Sequence, residues 1–422
     1  MLFYLRIKLL FLYCNLKISC LNKYKILNDP IYGFISIPNA IIFDIIEHPY
    51  FQRLRRISQM GLSHFVYPGA HHTRFEHALG AMHLMQKAIR VLKTKSVEIS
   101  KEEEEALLIA ILLHDVGHGP FSHTLEHSLV TSLKHEEISL LFMQKINKDF
   151  NGKLSLAIEI FKGNYHRPFF NQLVSGQLDI DRLDYLKRDS FYTGVTEGNL
   201  NTERIISMLT VVDDKLVVEE KGIYSVEKFI VSRRLMYWQV YLHKTSLVAD
   251  YMLVNTLKRA KKLIEDSVEI SCSDPLKYFL SNNNIEHFDD SILEKFSEID
   301  DHDIIMALKQ WMKHSDFILS KLSKSIIHRD FPKIEIRDVA FTQAELNTIK
   351  TKTSQRLNID NTSIDYFIES GIIENQAYNL NESSINILYK SGEIKDITDA
   401  SDHLNLLALT KTVVKYFVYY PK

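Results

Sequence analysis

Four residues of the type that ligate metals constrain this chain more than any other feature. They are His77 in HTRFEH, the adjacent pair His114 and Asp115 in LLHDVGHGPFSH, and Asp181 in DIDRLDYLKRD. The pair ends an apolar run, Ala106 to Leu113, that reads as a helix buried nearly all round. Imidazole and carboxylate groups at such a place are costly unless they are paired or hold a metal. A lone His-Asp dipeptide can be a hydrogen-bonded pair near a helix end and nothing more. Here His118, His123 and His127 follow at once, among Gly117, Gly119 and Pro120, and that bland reading does not account for them. The pattern points to metal-dependent hydrolysis.

At 422 residues the chain is too long for one ordinary core. We divide it into an N-terminal extension, 1–22, a metal-bearing domain, 23–274, and a helical then α+β C-terminal region, 275–422. The expected class is mainly α, a helical core with a small β-hairpin and a smaller α+β C-terminal unit. A hydrophobic content of 45% with 25% charged residues describes a globular chain, and a net charge of −2 argues against a nucleic-acid or membrane coat. A polyanionic substrate must then be met by local Arg and Lys. Cys14, Cys20 and Cys272 are too scattered for a disulfide framework, which fits a reducing cytoplasm. Residues 1–20 are apolar but broken by Arg6, Lys8 and Lys17, too short a run to span a bilayer. We read them as a loosely docked extension, or as the product of an upstream start codon, rather than as an export signal.

Along the chain, NDPIYGFISI (28–37) predicts a short hairpin, and 41–60 a helix with a basic face at Arg53, Arg55 and Arg56. A second helix is expected over 75–93, a third through Asp115, and a resumption over 122–127. Two more cover 135–145 and 177–189. Residues 211–224 alternate as a hairpin does, and 225–274, free of Gly and Pro, reads as one long helix. Helical hairpins follow to 330. KIEIRD, INILYKSGEIKDI and TVVKYFVYY then predict strands.

Two imidazoles and two carboxylates suit a borderline-to-hard divalent ion, such as Mn, Fe, Ni, Zn or Mg. His118 and His123 are candidates for triphosphate contact and for protonating a leaving oxygen. Glu126, three residues past His123, is placed to orient its ring if helix has begun there. Asp181, Tyr185 and Arg188/Asp189 fall at i, i+4 and i+7/i+8, one helical stripe. Tyr185 can pack on a sugar, Asp189 can accept a hydroxyl proton, and Arg74 and Arg182 lie where phosphate charge needs neutralising.

The run EHPYFQRLRRISQMGLSHFVYPGAHHTRFEHALG, with LLHDVGHGPFSH and DIDRLDYLKRD after it, resembles the HD-domain deoxynucleoside triphosphate triphosphohydrolases. That group includes dGTPase-like bacterial enzymes and the vertebrate dNTPase that joins a sterile-alpha motif to an HD domain. The match extends, more loosely, to about position 250. The resemblance implies that His77, His114, Asp115 and Asp181 hold the metal. It also implies that water attacks the α-phosphorus of a dNTP, giving deoxynucleoside and inorganic triphosphate. His123 matches the proton donor and Glu126 its acidic support, while His118 and His135 match histidines near the phosphates. Arg74 matches a phosphate contact, and Gln59 and Asp189 match groups that read the sugar 3′-hydroxyl. Tyr185 matches the tyrosine under the sugar, Tyr241 in YLHK a residue near the 2′-carbon, and Arg233 another phosphate contact. A homo-oligomer and a nucleotide activator are further implications.

Three positions depart from the vertebrate pattern. Arg182 stands for lysine, Tyr237 for histidine, and Met60 for a leucine beside the sugar. These leave the metal and acid–base chemistry untouched and bear on substrate preference. Two other readings remain: another HD phosphohydrolase, a nucleotide phosphomonoesterase or phosphodiesterase, and a nucleotide-binding regulator on an HD scaffold. The flanks GPFSH and DYLKRD favour the triphosphohydrolase.

Overall fold

A computed structural model describes residues 25–121, 129–130, 133–282, 285, 288–360, 363–402 and 406–422. The expected helix over 122–127, with His123 and Glu126, lies outside the described residues. Among the described residues the fold is mainly α with three small sheets.

The chain enters through an antiparallel hairpin, β1 (Ile26–Asp29) and β2 (Gly33–Ser36), where NDPIYG turns. The basic segment after it is not one helix. Helix α1 (Ala40–Glu47) stops at His48, whose extended backbone is what a following proline demands, and α2 (Pro49–Gln52) restarts at that proline. A 3-10 turn over Arg53–Arg56 then leads to an isolated bridge between Ser58 and Thr73, which frames Gln59 and Met60.

The central helices are α3 (Arg74–Thr94) and α4 (Lys101–Leu113). Helix α3 starts where the Glu76 carboxylate accepts the Thr73 backbone N–H at 2.6 Å, and α4 where Ser100 and Glu103 cap each other. Every residue from Ala106 to Leu113 is buried, as the apolar run requires. Helices α5 (His135–Asp149), α6 (Ser155–Phe161), α7 (Phe169–Val174) and α8 (Ile180–Thr193) pack around them. Gly117 permits a close backbone approach: a Cβ there would lie 2.2 Å from Ser139 N and 2.4 Å from His135 O.

A short helix, α9 (Thr202–Met208), leads into the hairpin β3 (Leu209–Val212) and β4 (Lys215–Glu219). The long helix expected beyond it is two. Helix α10 (Ile223–Met236) runs into a π turn over Tyr237–Tyr241, where Leu242 N reaches back to Tyr237 O at 2.8 Å. His243 is extended and caps α11 (Lys244–Glu265) through its own ring. Neither Gly nor Pro marks this break; a ring nitrogen accepting a backbone N–H makes it.

Helices α12 (Asp274–Ser281), α13 (Asp290–Glu298), α14 (Asp301–Trp311) and α15 (Phe317–Ile327) come next, then β5 (Lys333–Arg337) and α16 (Gln343–Leu357). The remaining elements are β6 (Glu369–Asn375), β7 (Asn386–Leu388), β8 (Ile394–Asp396), α17 (Ile397–Ala400) and β9 (Val413–Tyr420). One sheet runs β5-β9-β6. Another, β3-β4-β7-β8, joins β7 in parallel to β4, so strands from 209–219 and 386–396 share a sheet. Among the described residues, no helix is long and apolar enough to cross a membrane.

Candidate metal centre and substrate wall

Three helices bring the ligand-type residues together. His77 comes from the first turn of α3, His114 and Asp115 from the end of α4, and Asp181 from the start of α8. His77 Nε2 lies 3.1 Å from Asp181 Oδ1, and His114 Nε2 lies 3.3 Å from that same oxygen. Asp115 Oδ1 stands 3.4 Å from His114 Nε2, while Oδ2 is 3.8 Å from His77 Nε2 and pairs with Arg74 Nη1.

Hydrogen bonds on the far side of each ring fix what the near side can do. His114 Nδ1 is 2.6 Å from the Ile111 carbonyl, which can only accept, so the proton is on Nδ1. His77 Nδ1 donates to Asp184 Oδ2 at 2.8 Å. Both Nε2 atoms are buried, make no hydrogen bond, and converge on the same carboxylates. Donors held ~2.0–2.2 Å from one ion sit about 3.0–3.4 Å from each other; the contacts of Asp181 with His77 and His114 and of Asp115 with His114 lie at 3.1, 3.3 and 3.4 Å, and that of Asp115 with His77 at 3.8 Å. The residues fit a divalent ion. Without one, burial opposes charge on His77, but Asp181 and Asp184 overcome it and lift its pKa to about 10. Burial likewise works against the Asp181 carboxylate, yet the two imidazoles bring its pKa well down. The carboxylates thus hold positive charge at this spot.

A second group, Asp115, His118 and His135, adjoins the first. His118 Nε2 is 3.5 Å from Asp115 Oδ1, and its ring stacks on His135 at 3.9 Å. Burial, with Arg74 beside it, pushes the His118 pKa far down, so the ring is neutral. Asp115 is the one carboxylate of this group and Arg74 already balances it. A dication would gain little here, whereas phosphate oxygens would meet imidazole and guanidinium donors.

Further along α8 a second cluster is aromatic and cationic. Tyr241 stands edge-on to Tyr185 and to Tyr237, with ring centroids 6.1 and 5.1 Å apart. The Tyr241 hydroxyl donates to Asp189 Oδ2 at 2.7 Å, and His72 Nε2 meets Asp189 Oδ1 at 2.7 Å. His72 in turn stacks on Tyr192 at 4.3 Å. Gln59 Oε1 is buried with no partner. Arg182 pairs with Asp179, whose burial raises its pKa to about 6, and Arg233 reaches the Ala377 carbonyl at 3.3 Å with Tyr237 beneath its guanidinium.

Sequence reasoning missed three residues. Asp184 lies three positions after Asp181, off the i, i+4, i+8 stripe, yet on the face that backs His77. His72 directly precedes Thr73, and the doubled histidine in AHHTRFEH is the signal for it. Asp179 is visible in sequence as an N-cap, accepting Arg182 N at 2.7 Å, but its pairing with the Arg182 side chain is not. One expectation is corrected. Arg188 does not share the site face with Asp181 and Asp189; it is fully buried behind them, forked onto Asp184.

Comparison with known proteins agrees with this architecture. A family model described as the HD domain matches residues 74–189, and one described as the HD associated region matches 200–275. The uncharacterized protein YwfO of Bacillus subtilis is 30% identical over 414 residues, 95% of this chain and 93% of that protein. The deoxynucleoside triphosphate triphosphohydrolase SAMHD1 homolog of Dictyostelium discoideum is 32% identical over 275 residues. That alignment takes in 60% of this chain and 52% of the relative, so about half of that longer protein is spanned. A phosphohydrolase from Bacteroides thetaiotaomicron superposes with a TM-score of 0.91 at 52% identity, over 94% of this chain and 100% of the other. The chain belongs to the HD-domain family of dNTPase-like proteins and is an HD-type hydrolase.

Proposed function

We propose that the protein hydrolyses deoxynucleoside triphosphates to deoxynucleoside and inorganic triphosphate. The observation that carries this reading is the pair of buried Nε2 atoms of His77 and His114 that make no hydrogen bond and converge on Asp181. A divalent ion held by His77, His114, Asp115 and Asp181 would polarise a phosphoryl oxygen and lower the pKa of a water to ~7.

The chain's own residues do the rest. Arg74, Arg182, Arg233, His118 and His135 neutralise and orient the triphosphate. His123, supported by Glu126, supplies the proton to the leaving 5′-oxygen; these two roles rest on the resemblance, since both residues lie outside the described set. Tyr185 carries the sugar. Asp189, held by His72 and Tyr241, and Gln59 receive its 3′-hydroxyl, while Tyr241 and Met60 crowd the 2′-carbon. A ribose hydroxyl buried there without a partner costs on the order of 1–3 kcal/mol. We also propose a homo-oligomer, with nucleotide activation, in the cytoplasm.

The test is product identity over the four dNTPs, four NTPs and nucleoside monophosphates with Mn and Mg. Inorganic triphosphate from dNTPs supports the reading. Orthophosphate from monophosphates would replace it with the phosphomonoesterase alternative.

A further inference from the structure

The metal reading leaves a buried ion-pair chain behind His77 unexplained. His77 Nδ1 donates to Asp184 Oδ2 at 2.8 Å. Arg188 forks onto Asp184, Nε to Oδ2 at 2.9 Å and Nη2 to Oδ1 at 3.1 Å. Its remaining arm, Nη1, donates to Asp29 Oδ2 at 2.8 Å, 159 residues away on the N-terminal hairpin. His77, Asp184 and Arg188 are wholly buried, and Asp29 is 8% exposed. Room for the chain is reserved by Gly80, one turn after His77. A Cβ there would come within 2.1 Å of Arg188 Nη2 and 2.2 Å of Asp184 Oδ1.

Asp184 alone would neutralise Arg188, so charge does not call for Asp29. What Asp29 adds is a second fixed point. A guanidinium is a rigid planar fork; gripped at both ends, it sets the plane of the Asp184 carboxylate. That carboxylate decides which nitrogen of His77 carries the proton and where Nε2 points. Asp29 is itself immobilised, because its Oδ1 accepts the N–H groups of Ile31 and Tyr32, both at 2.9 Å.

We infer that Asp29, on the N-terminal hairpin, is a positioning residue for the metal ligand His77, acting through Arg188 and Asp184. This rests on the metal reading of the site. The hairpin is thereby part of the metal centre's support, although it lies before the residues that the HD model matches.

Asp29→Asn is the discriminating variant. The asparagine Oδ1 still accepts the two turn N–H groups, while its Nδ2 faces Arg188 donor to donor. Mn(II) affinity of the metal-stripped full chain, by titration calorimetry, is the readout, with thermal unfolding run in parallel. Asp184→Asn should weaken Mn(II) by ~10–100-fold and Asp29→Asn by about tenfold. Arg167→Ala, which breaks an ion-pair cluster with Glu103 and Asp214, should lower the melting temperature and leave Mn(II) affinity unchanged. If Asp29→Asn does not fold, Arg188→Lys is read in the same way, because lysine keeps the charge and loses the fork. An Asp29→Asn protein that binds Mn(II) like wild type, beside a weakened Asp184→Asn, overturns the inference: support would then end at Asp184. His114→Ala separates the two levels. If it too binds Mn(II) normally, the metal reading fails, and the relay fails with it.

Discussion

The two walls of the site are built in different ways. The metal side takes its groups from three long helices, and each ring is bolted from behind: His77 by Asp184, His114 by the Ile111 carbonyl. The sugar side joins Tyr185 and Asp189 of α8 to groups on a π turn and loops. Tyr241 ends the π turn, the Tyr67 hydroxyl bonds the Gln239 carbonyl within it, and Gln239 reaches Glu197 at 3.1 Å. Rigid helices suit a centre that must present lone pairs at ~3 Å spacing. Groups set partly on turns and loops suit a surface that sets preference among related sugars. Damage to the first wall should therefore abolish chemistry, and damage to the second should shift selectivity.

The largest effect is expected at the helical wall. His114→Ala or Asp115→Ala should reduce turnover to background with the fold retained, as judged by circular dichroism and unfolding. A variant with near wild-type activity and full metal content would break the comparison. Next, His123→Ala should slow hydrolysis by ~10²-fold or more while metal content stays near wild type. Loss of metal in that variant would make His123 a ligand and redraw the helical wall.

Tyr241→Phe probes the other wall. It strips Asp189 of one donor, and a buried carboxylate left short of a hydrogen bond costs about 1–3 kcal/mol, roughly ten- to a hundredfold in kcat/KM for dGTP. Discrimination against GTP should fall with it. An unchanged dGTP to GTP ratio would separate Tyr241 from sugar reading. The smallest effect is on stability: stripping the metal with a chelator should lower the melting temperature by a few degrees, because an ion present at ~100 times its dissociation constant contributes about 2.7 kcal/mol. No shift at saturating Mn(II) would mean the helical wall holds no ion.

The same contrast explains what the sequence discloses. His114 and Asp115 stand out because polar groups at the end of an apolar helix require a reason, and the family resemblance adds His77 and Asp181 to them. The hairpins at 26–36 and 209–219 were legible from alternation and turn residues. The break at His243 was not, since its cause is a ring nitrogen capping Thr245 N rather than a Gly or Pro. Arg188 was misplaced because spacing assigns a residue to a face but not to a partner, and its partner Asp29 is 159 residues away. The bridge of β7 to β4 escaped for the same reason: strands are readable, long-range pairing is not.

Anomalous diffraction at the manganese edge, from crystals soaked with Mn(II), tests the central claim most directly. The account predicts one ion per chain, held by Nε2 of His77 and His114 and by oxygens of Asp181 and Asp115, with Arg74 still on Asp115 Oδ2. A peak held instead by His118 and His135, or none between the three helices, would contradict it.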